Sequence, residues 1–287
     1  MLGWPLAIGQ GHPQQPKFDA RLRHPATGIP PPSQMELVIS ESTLFKKAME
    51  AIRDFLPTTE MNISADGMRI TGMDASHICF IDFLLSAEEC DSVTCPDPIS
   101  LGISTGLITK VLSAATTGSD SITLSVTEES DSLGLTVHNT AAARRADFDL
   151  PLLDIEEAAV EIPEMTYEAN VKAKTADIVA MVRDCALFGE TAKLTLDADG
   201  FHVETAGETG GSARLTLENT DGREMTLEDG AVAVTYSIKY LMNILKGGAS
   251  LASVVDLGFE AGKPIRAVFR FGRNSHFTAY LAPKLED

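Results

Sequence analysis

Polar and apolar residues alternate with a period of two through Ser121–Val126, Leu133–Val137 and Ser212–Leu217, the spacing of half-buried antiparallel strands. Between such runs the period lengthens. Phe45, Ala48, Met49, Ile52, Phe55 and Leu56 form one apolar stripe, which predicts a helix over 42–56 with Ser42 as N-cap and Pro57 as stop. The same period predicts helices over 104–116, 175–189 and 236–246. The first patterned strand is Glu36–Ser40, so the folded unit is expected to start at Met35.

This pattern occurs twice, offset by about 133 residues. Ala65-Asp66-Gly67-Met68 returns as Ala198-Asp199-Gly200-Phe201, a tight turn leading into a strand. Phe45, Met49 and Ile52 return as Ile178, Val182 and Cys185. Ile108, Val111 and Leu112 return as Leu241, Ile244 and Leu245, and Ile122 and Leu124 as Val255 and Leu257. The last strand slips by one, with Leu133, Leu135 and Val137 matching Ile265, Ala267 and Phe269. The expected class is α+β: two copies of one domain, each with two helices on one face of antiparallel sheet. Residues 35–147 and 167–287 hold the copies, and the acidic stretch 148–166 is expected to be an extended connector.

Residues 1–34 stand apart, with seven of the fourteen prolines and no apolar period. Met1–Ile8 lacks a basic start and is broken by Pro5, which argues against a secretory signal. An unstructured extension is the expectation.

Hydrophobic residues make up 44% and charged residues 22%, a globular mixture. The net charge of −18 excludes a protein that coats DNA or an anionic membrane with a basic surface. No apolar run approaches the roughly 20 residues that span a bilayer. The charge is uneven, however: the four predicted helices sum to +3, residues 1–34 to +2 and the remainder to −23. Lys46 and Arg53 superpose on a helical wheel away from the apolar stripe, so a mildly basic helical surface stands on an acidic body. Such a surface suits phosphates met without sequence readout.

Four cysteines (Cys79, Cys90, Cys95, Cys185) are too sparse for a disulfide framework and read as reduced thiols of an intracellular protein. Six histidines show no ligand spacing, and no carboxylate pair accompanies a nucleophile motif. Neither an enzyme nor a cofactor is expected.

Several short motifs resemble the proliferating cell nuclear antigen family of eukaryotic and archaeal-type DNA sliding clamps. They are Leu281-Ala282-Pro283-Lys284-Leu285-Glu286-Asp287, Met73-Asp74-Ala75-Ser76-His77, Leu44-Phe45-Lys46-Lys47, Cys95-Pro96-Asp97, Ile162-Pro163-Glu164 and Tyr240-Leu241. The resemblance spans residues 35–287 and implies a homotrimeric ring, with sheets outside and helices lining a hole threaded by duplex DNA. It implies a nuclear processivity factor for DNA polymerase and a docking hub for replication and repair, translesion synthesis and mismatch repair included. Clamp loader, nuclease and ligase partners would bind through a glutamine, aliphatic, double-aromatic peptide motif.

The resemblance places DNA contacts on Lys46, Lys47, Arg53, Lys110, Arg183, Lys239 and Lys246. It places the peptide pocket on Met73, His77, Phe80, Leu153, Ile155, Val160, Ile162, Pro264, Tyr280, Leu281, Ala282 and Pro283. Subunit contacts are expected from strands Leu135–Arg145 and Ser212–Asn219, through Leu135, Val137, Arg144, Arg145, Phe148, Arg214, Leu215 and Leu217. Basic positions of the family are Thr94, Ser113 and Ala180 here, which implies weaker DNA contact, and the lysine that accepts ubiquitin in many members is Ala198. The rival readings are one subunit of a heterotrimeric clamp and a protein-only scaffold that never encircles DNA.

Overall fold

The computed structural model describes residues 33–115, 120–127, 130–155, 165–207, 210–220 and 222–284. The first repeat runs β1 (Ser33–Ile39), α1 (Ser42–Arg53), β2 (Thr58–Ser64), β3 (Gly67–Met73), β4 (Cys79–Ser86), β5 (Ser92–Thr94), β6 (Ile99–Ser104), α2 (Thr105–Ala115), β7 (Ser121–Thr127), β8 (Ser132–Asn139) and β9 (Arg144–Pro151). The second runs β10 (Ala169–Lys174), α3 (Thr175–Cys185), β11 (Thr191–Asp197), β12 (Gly200–Ala206), β13 (Ser212–Leu217), β14 (Glu224–Leu227), β15 (Val232–Ser237), α4 (Ile238–Ala249), β16 (Val254–Phe259), β17 (Ile265–Phe271) and β18 (Ser275–Leu281).

All named strand pairs are antiparallel and form three sheets, ordered β5-β1-β7-β8-β9, β14-β10-β16-β17-β18-β4-β3-β2-β6 and β13-β12-β11-β15. The central sheet joins the repeats where β18 pairs with β4, Phe277 opposite Phe83 and Tyr280 opposite Phe80. Helices cover one side of the sheets. α1 packs on α2, α3 on α4, and α4 on α1, so the layer is ordered α2-α1-α4-α3. At the α4–α1 crossing a Cβ on Gly247 would stand 2.9 Å from that of Ala51, so glycine permits the close approach.

The apolar stripes do what their period predicts. Phe45, Ala48, Met49 and Ile52 of α1 are buried, as are Ile178, Val182 and Cys185 of α3 and Leu241, Ile244 and Leu245 of α4. Both Asp-Gly turns carry glycine at positive φ, 124° at Gly67 and 131° at Gly200. At Gly67 a Cβ would fall 2.1 Å from the Leu85 carbonyl oxygen.

Four local expectations are corrected. Ser42 is the first residue of α1 and its buried hydroxyl has no partner, so it is not the cap; Glu41 holds that position without a side-chain bond. The helix ends at Arg53, yet Phe55 and Leu56 stay buried because their N–H groups bond the Ile52 carbonyl in a closing turn. α3 ends at Cys185, four residues short of the predicted end, and leaves Leu187 and Phe188 exposed. The first strand begins at Ser33, two residues before the buried Met35.

Of the expected connector, Phe148–Pro151 belong to β9 of the first repeat, and the next anchor is a bridge between Leu153 and Gly102 of β6. A Cβ on Gly102 would lie 2.0 Å from the Leu153 carbonyl oxygen, so only glycine admits this crossing. Among the described residues no helix is long and apolar enough to cross a membrane.

Candidate functional site

The helical layer turns its polar side away from the sheets. Lys47, Arg53, Lys110, Arg183, Lys239 and Lys246 are exposed there and Lys46 is half-buried. Arg53 bonds Asp54 at 3.3 Å and Arg183 bonds Asp184 at 3.1 Å. The lysines have no ion-pair partner among the described residues. Exposed pairs contribute only about 0–1 kcal/mol, so an incoming phosphate can displace either aspartate. The face can hold polyanions by charge and has little else to offer them: no group of three His, Cys, Asp or Glu among the described residues could hold a metal.

The opposite side of the central sheet carries a row of apolar and aromatic residues at the junction of the repeats, which we call the trough. Strand register sets Met73 beside Phe80, and Phe80 beside Tyr280, whose rings lie 6.3 Å apart. These residues lie on the face away from the helices because they alternate with the core residues Ile81, Ala279 and Leu281; Met73 and Tyr280 are half-buried there and Phe80 is buried. Burial raises the Tyr280 phenol above its usual pKa, with Arg266 opposing. Leu153 is exposed and Ile155 half-buried at the Gly102 bridge, with a Cβ on Gly102 reaching within 3.1 Å of Ile155. Pro264, Ala282 and Pro283 are half-buried, and the Ala282 N–H donates to the Ile78 carbonyl.

Asp74 shapes the trough's upper loop. Its buried carboxylate accepts from the N–H groups of Ser76, Ile78 and Cys79 at 3.2, 2.7 and 2.6 Å and from the Tyr240 hydroxyl of α4 at 2.9 Å. This folds the loop tightly enough that exposed His77 takes φ 54°. Below the trough, Asp82 bonds Arg69 through both oxygens, at 2.9 and 3.0 Å, and faces His276 at 3.4 Å. Burial raises the Asp82 pKa, but hydrogen bonds from His276 and Arg69 outweigh it and hold the carboxyl below its usual range.

One pocket expectation changes, and two fall outside the described residues. Leu281 points into the core on the other face of β18, fully buried, so its side chain does not line the trough. Val160 and Ile162 lie outside the described residues. Asp74, Gly102, Tyr240 and Arg266 shape the site and were not singled out as site residues. Asp74 lies within Met73-Asp74-Ala75-Ser76-His77, and an aspartate before a short polar loop signals side-chain-to-backbone bonding.

The expected subunit edge also moves. Leu135 and Val137 are buried in β8, which is paired on both sides, by β7 and β9, so they cannot form an edge contact. β9 stands at an open edge of that sheet, with Arg144 and Arg145 exposed and Phe148 half-buried. β13 stands at an open edge of the third sheet, with Arg214 exposed, Leu215 half-buried and Leu217 buried.

Duplicated domains sharing one sheet, behind a single layer of four helices, define the sliding-clamp α+β fold. Residues 34–160 match the family described as proliferating cell nuclear antigen, N-terminal domain, and residues 161–284 its C-terminal domain. The chain belongs to the proliferating cell nuclear antigen family. A relative from Chaetomium thermophilum, named proliferating cell nuclear antigen, is 27% identical over 259 residues, covering 88% of this chain and 99% of its own length. Family membership supports a DNA sliding-clamp role, which is not an enzyme's.

Proposed function

We propose that three copies of this chain close into a ring around duplex DNA and tether DNA polymerase and repair proteins to it. The observation that carries this reading is the relation between the inner junction and the free edges. Strand β18 repeats β9, Leu281 corresponding to Leu150, and β4 repeats β13, Leu85 corresponding to Leu217. The one pairing that joins the repeats within a chain, β18 on β4, therefore has its counterpart in two strands that stand at open sheet edges, β9 and β13. The helices agree: α1 repeats α3 and α4 repeats α2, so the α4–α1 contact has an unmade counterpart between α2 and α3 at the ends of the layer.

Copying the inner register onto these edges sets Ala146 of one chain opposite Leu215 of the next, and Asp147 opposite Arg214. An apolar pair beside an opposite-charge pair is a favourable antiparallel contact. The contact is heterologous, and three copies close it into a ring. The lysine-bearing helices would then line the hole, where sequence-blind phosphate contacts suffice because encirclement, not affinity, prevents dissociation.

The trough on the outer face would take the glutamine, aliphatic and aromatic peptide of polymerase, clamp loader, nuclease and ligase partners in the nucleus. Its aromatic and aliphatic lining suits anchors of that kind. Sedimentation of the isolated chain tests the ring: a trimer is expected and a stable monomer overturns it. Loading by a clamp loader onto nicked circular DNA, with release on linearisation, tests encirclement. Salt-sensitive binding without topological dependence would instead point to a scaffold that never surrounds DNA.

A further inference from the structure

The trough has a cationic end. Its outward row continues from Met73, Phe80 and Tyr280 to Arg266 of β17, which register sets directly beside Tyr280. The Arg266 guanidinium lies over the Tyr167 ring, 5.1 Å from its centroid, so two tyrosines flank it. Its Nε is buried and has no hydrogen-bond partner among the described residues. Its nearest carboxylate, Asp256, stands 3.9 Å away and is shared with Arg270, which approaches it at 3.4 Å. One carboxylate thus faces two guanidiniums, beside an apolar trough, on a chain of net charge −18. A guanidinium fixed by aromatic packing and short of acceptors is a preformed carboxylate receptor.

We infer that Arg266 is a specificity-determining residue of the docking trough, selecting partner peptides that carry an aspartate or glutamate close to their apolar anchors. The inference rests on the peptide-docking reading above. Arg266 is one strand from half-buried Tyr280, roughly 5 Å at about 4.8 Å per strand, so an extended peptide reaches it within about two residues of an anchor on Tyr280. The outward charge on Arg266 also opposes any peptide with a lysine there, so the same residue both recruits and rejects.

The test uses the purified full chain and a fluorescent peptide with the glutamine, aliphatic and double-aromatic anchors on an alanine background. A single glutamate, or glutamine as its neutral control, is placed at each of the three positions on either side of the anchors. At one position glutamate is expected to tighten binding about tenfold over glutamine, a gain that falls with added salt. That gain, taken as the ratio of glutamate to glutamine peptide within each protein, should vanish in Arg266→Met and persist in part in Arg266→Lys. Measurable binding of the glutamine peptides by each variant shows that it keeps the trough. A glutamate gain that survives in Arg266→Met overturns the inference and leaves the trough standing. So does tighter binding of every peptide by Arg266→Met, which would mean that Arg266 opposes docking. No binding by any peptide, the all-alanine one included, overturns the docking reading and this inference with it.

Discussion

The hydroxyl of Tyr240 donates to Asp74 Oδ2 at 2.9 Å and so fastens a helix of the second repeat to the loop that rims the first repeat's trough. Lys239, the preceding residue, belongs to the candidate DNA face, so one turn of α4 touches both surfaces. Tyr240→Phe removes one of four bonds to a carboxylate that keeps its three backbone donors. The expected cost is about 1–2 kcal/mol of stability, with weaker peptide docking. Asp74→Ala strands three backbone N–H groups and is expected to cost more, about 3 kcal/mol, and to release His77 from its left-handed conformation. Urea unfolding and peptide titration read both; equal effects from the two variants would refute the clasp.

The proposed β9–β13 contact makes a sharper demand. Arg214→Asp sets like charges opposite each other at every subunit junction and is expected to shift the trimer toward monomer by at least tenfold in association. Asp147→Arg alone should act in the same direction, and the two together should restore the ring. Hydrogen bonds from Thr136 and Arg145 hold the Asp147 carboxyl below its usual pKa, so the pair keeps its charge through mildly acidic pH. Sedimentation of the single and double variants decides; a double variant no better than either single removes this register.

The helical stripes, the Asp-Gly turns and the doubling of the domain were legible because each is a side-chain pattern with a fixed period. Edge position has no such period. Leu133–Val137 alternates as an edge strand would, and only the pairing of β8 on both sides removes it from the edge. Helix ends escaped for a related reason: Phe55 and Leu56 continue the stripe but are held by a turn after Arg53. The candidate DNA face was readable as a sign difference among segments. Arg266 was not, because a charged residue at an alternating position reads as solvent-facing. Its role comes from Tyr280 on β18, fourteen residues later in the chain, and from Tyr167, which precedes β10.

Gly102 predicts a separation of folding from docking. Any side chain there meets the Leu153 carbonyl, on the first residues leading away from β9. Gly102→Ala is expected to leave the sheets and the trimer intact, because β6 is an edge strand, but to displace Leu153 and Ile155 from the trough. Peptide affinity should fall by about tenfold with little change in the thermal midpoint. A large drop in stability with unchanged affinity would place the bridge in folding instead.

The second repeat carries an acid-sensitive contact between a buried histidine and a carboxylate. His202 is buried, its ring nitrogens 2.9 Å from Asp197 Oδ1 and 2.9 Å from the hydroxyl of Thr216 on β13. The hydrogen bond from His202, with help from backbone N–H groups, holds the Asp197 carboxyl below its usual pKa. A depressed carboxylate stabilises the fold above its unfolded value, about 3.9, and this contribution disappears as pH falls through the lower, folded value. His202→Gln should therefore lower the urea midpoint at neutral pH and flatten its decline below about pH 4. Parallel curves for the two proteins would dissociate the pair from acid unfolding.

The candidate DNA face makes its own prediction, because encirclement and affinity are separable. Lys47→Glu reverses an exposed charge on α1 that has no ion-pair partner among the described residues, and three copies of the change would stand in one ring. Escape from the ends of linear DNA depends on how the ring moves along phosphates, so the variant should leave linear DNA faster. Its salt dependence should be shallower, by about 0.9 in log–log slope for each phosphate no longer neutralised. Retention on closed circular DNA should not change, since no sliding rate opens the ring. A variant that leaves circular and linear DNA equally fast would mean that the helical charges, not closure, hold the clamp in place.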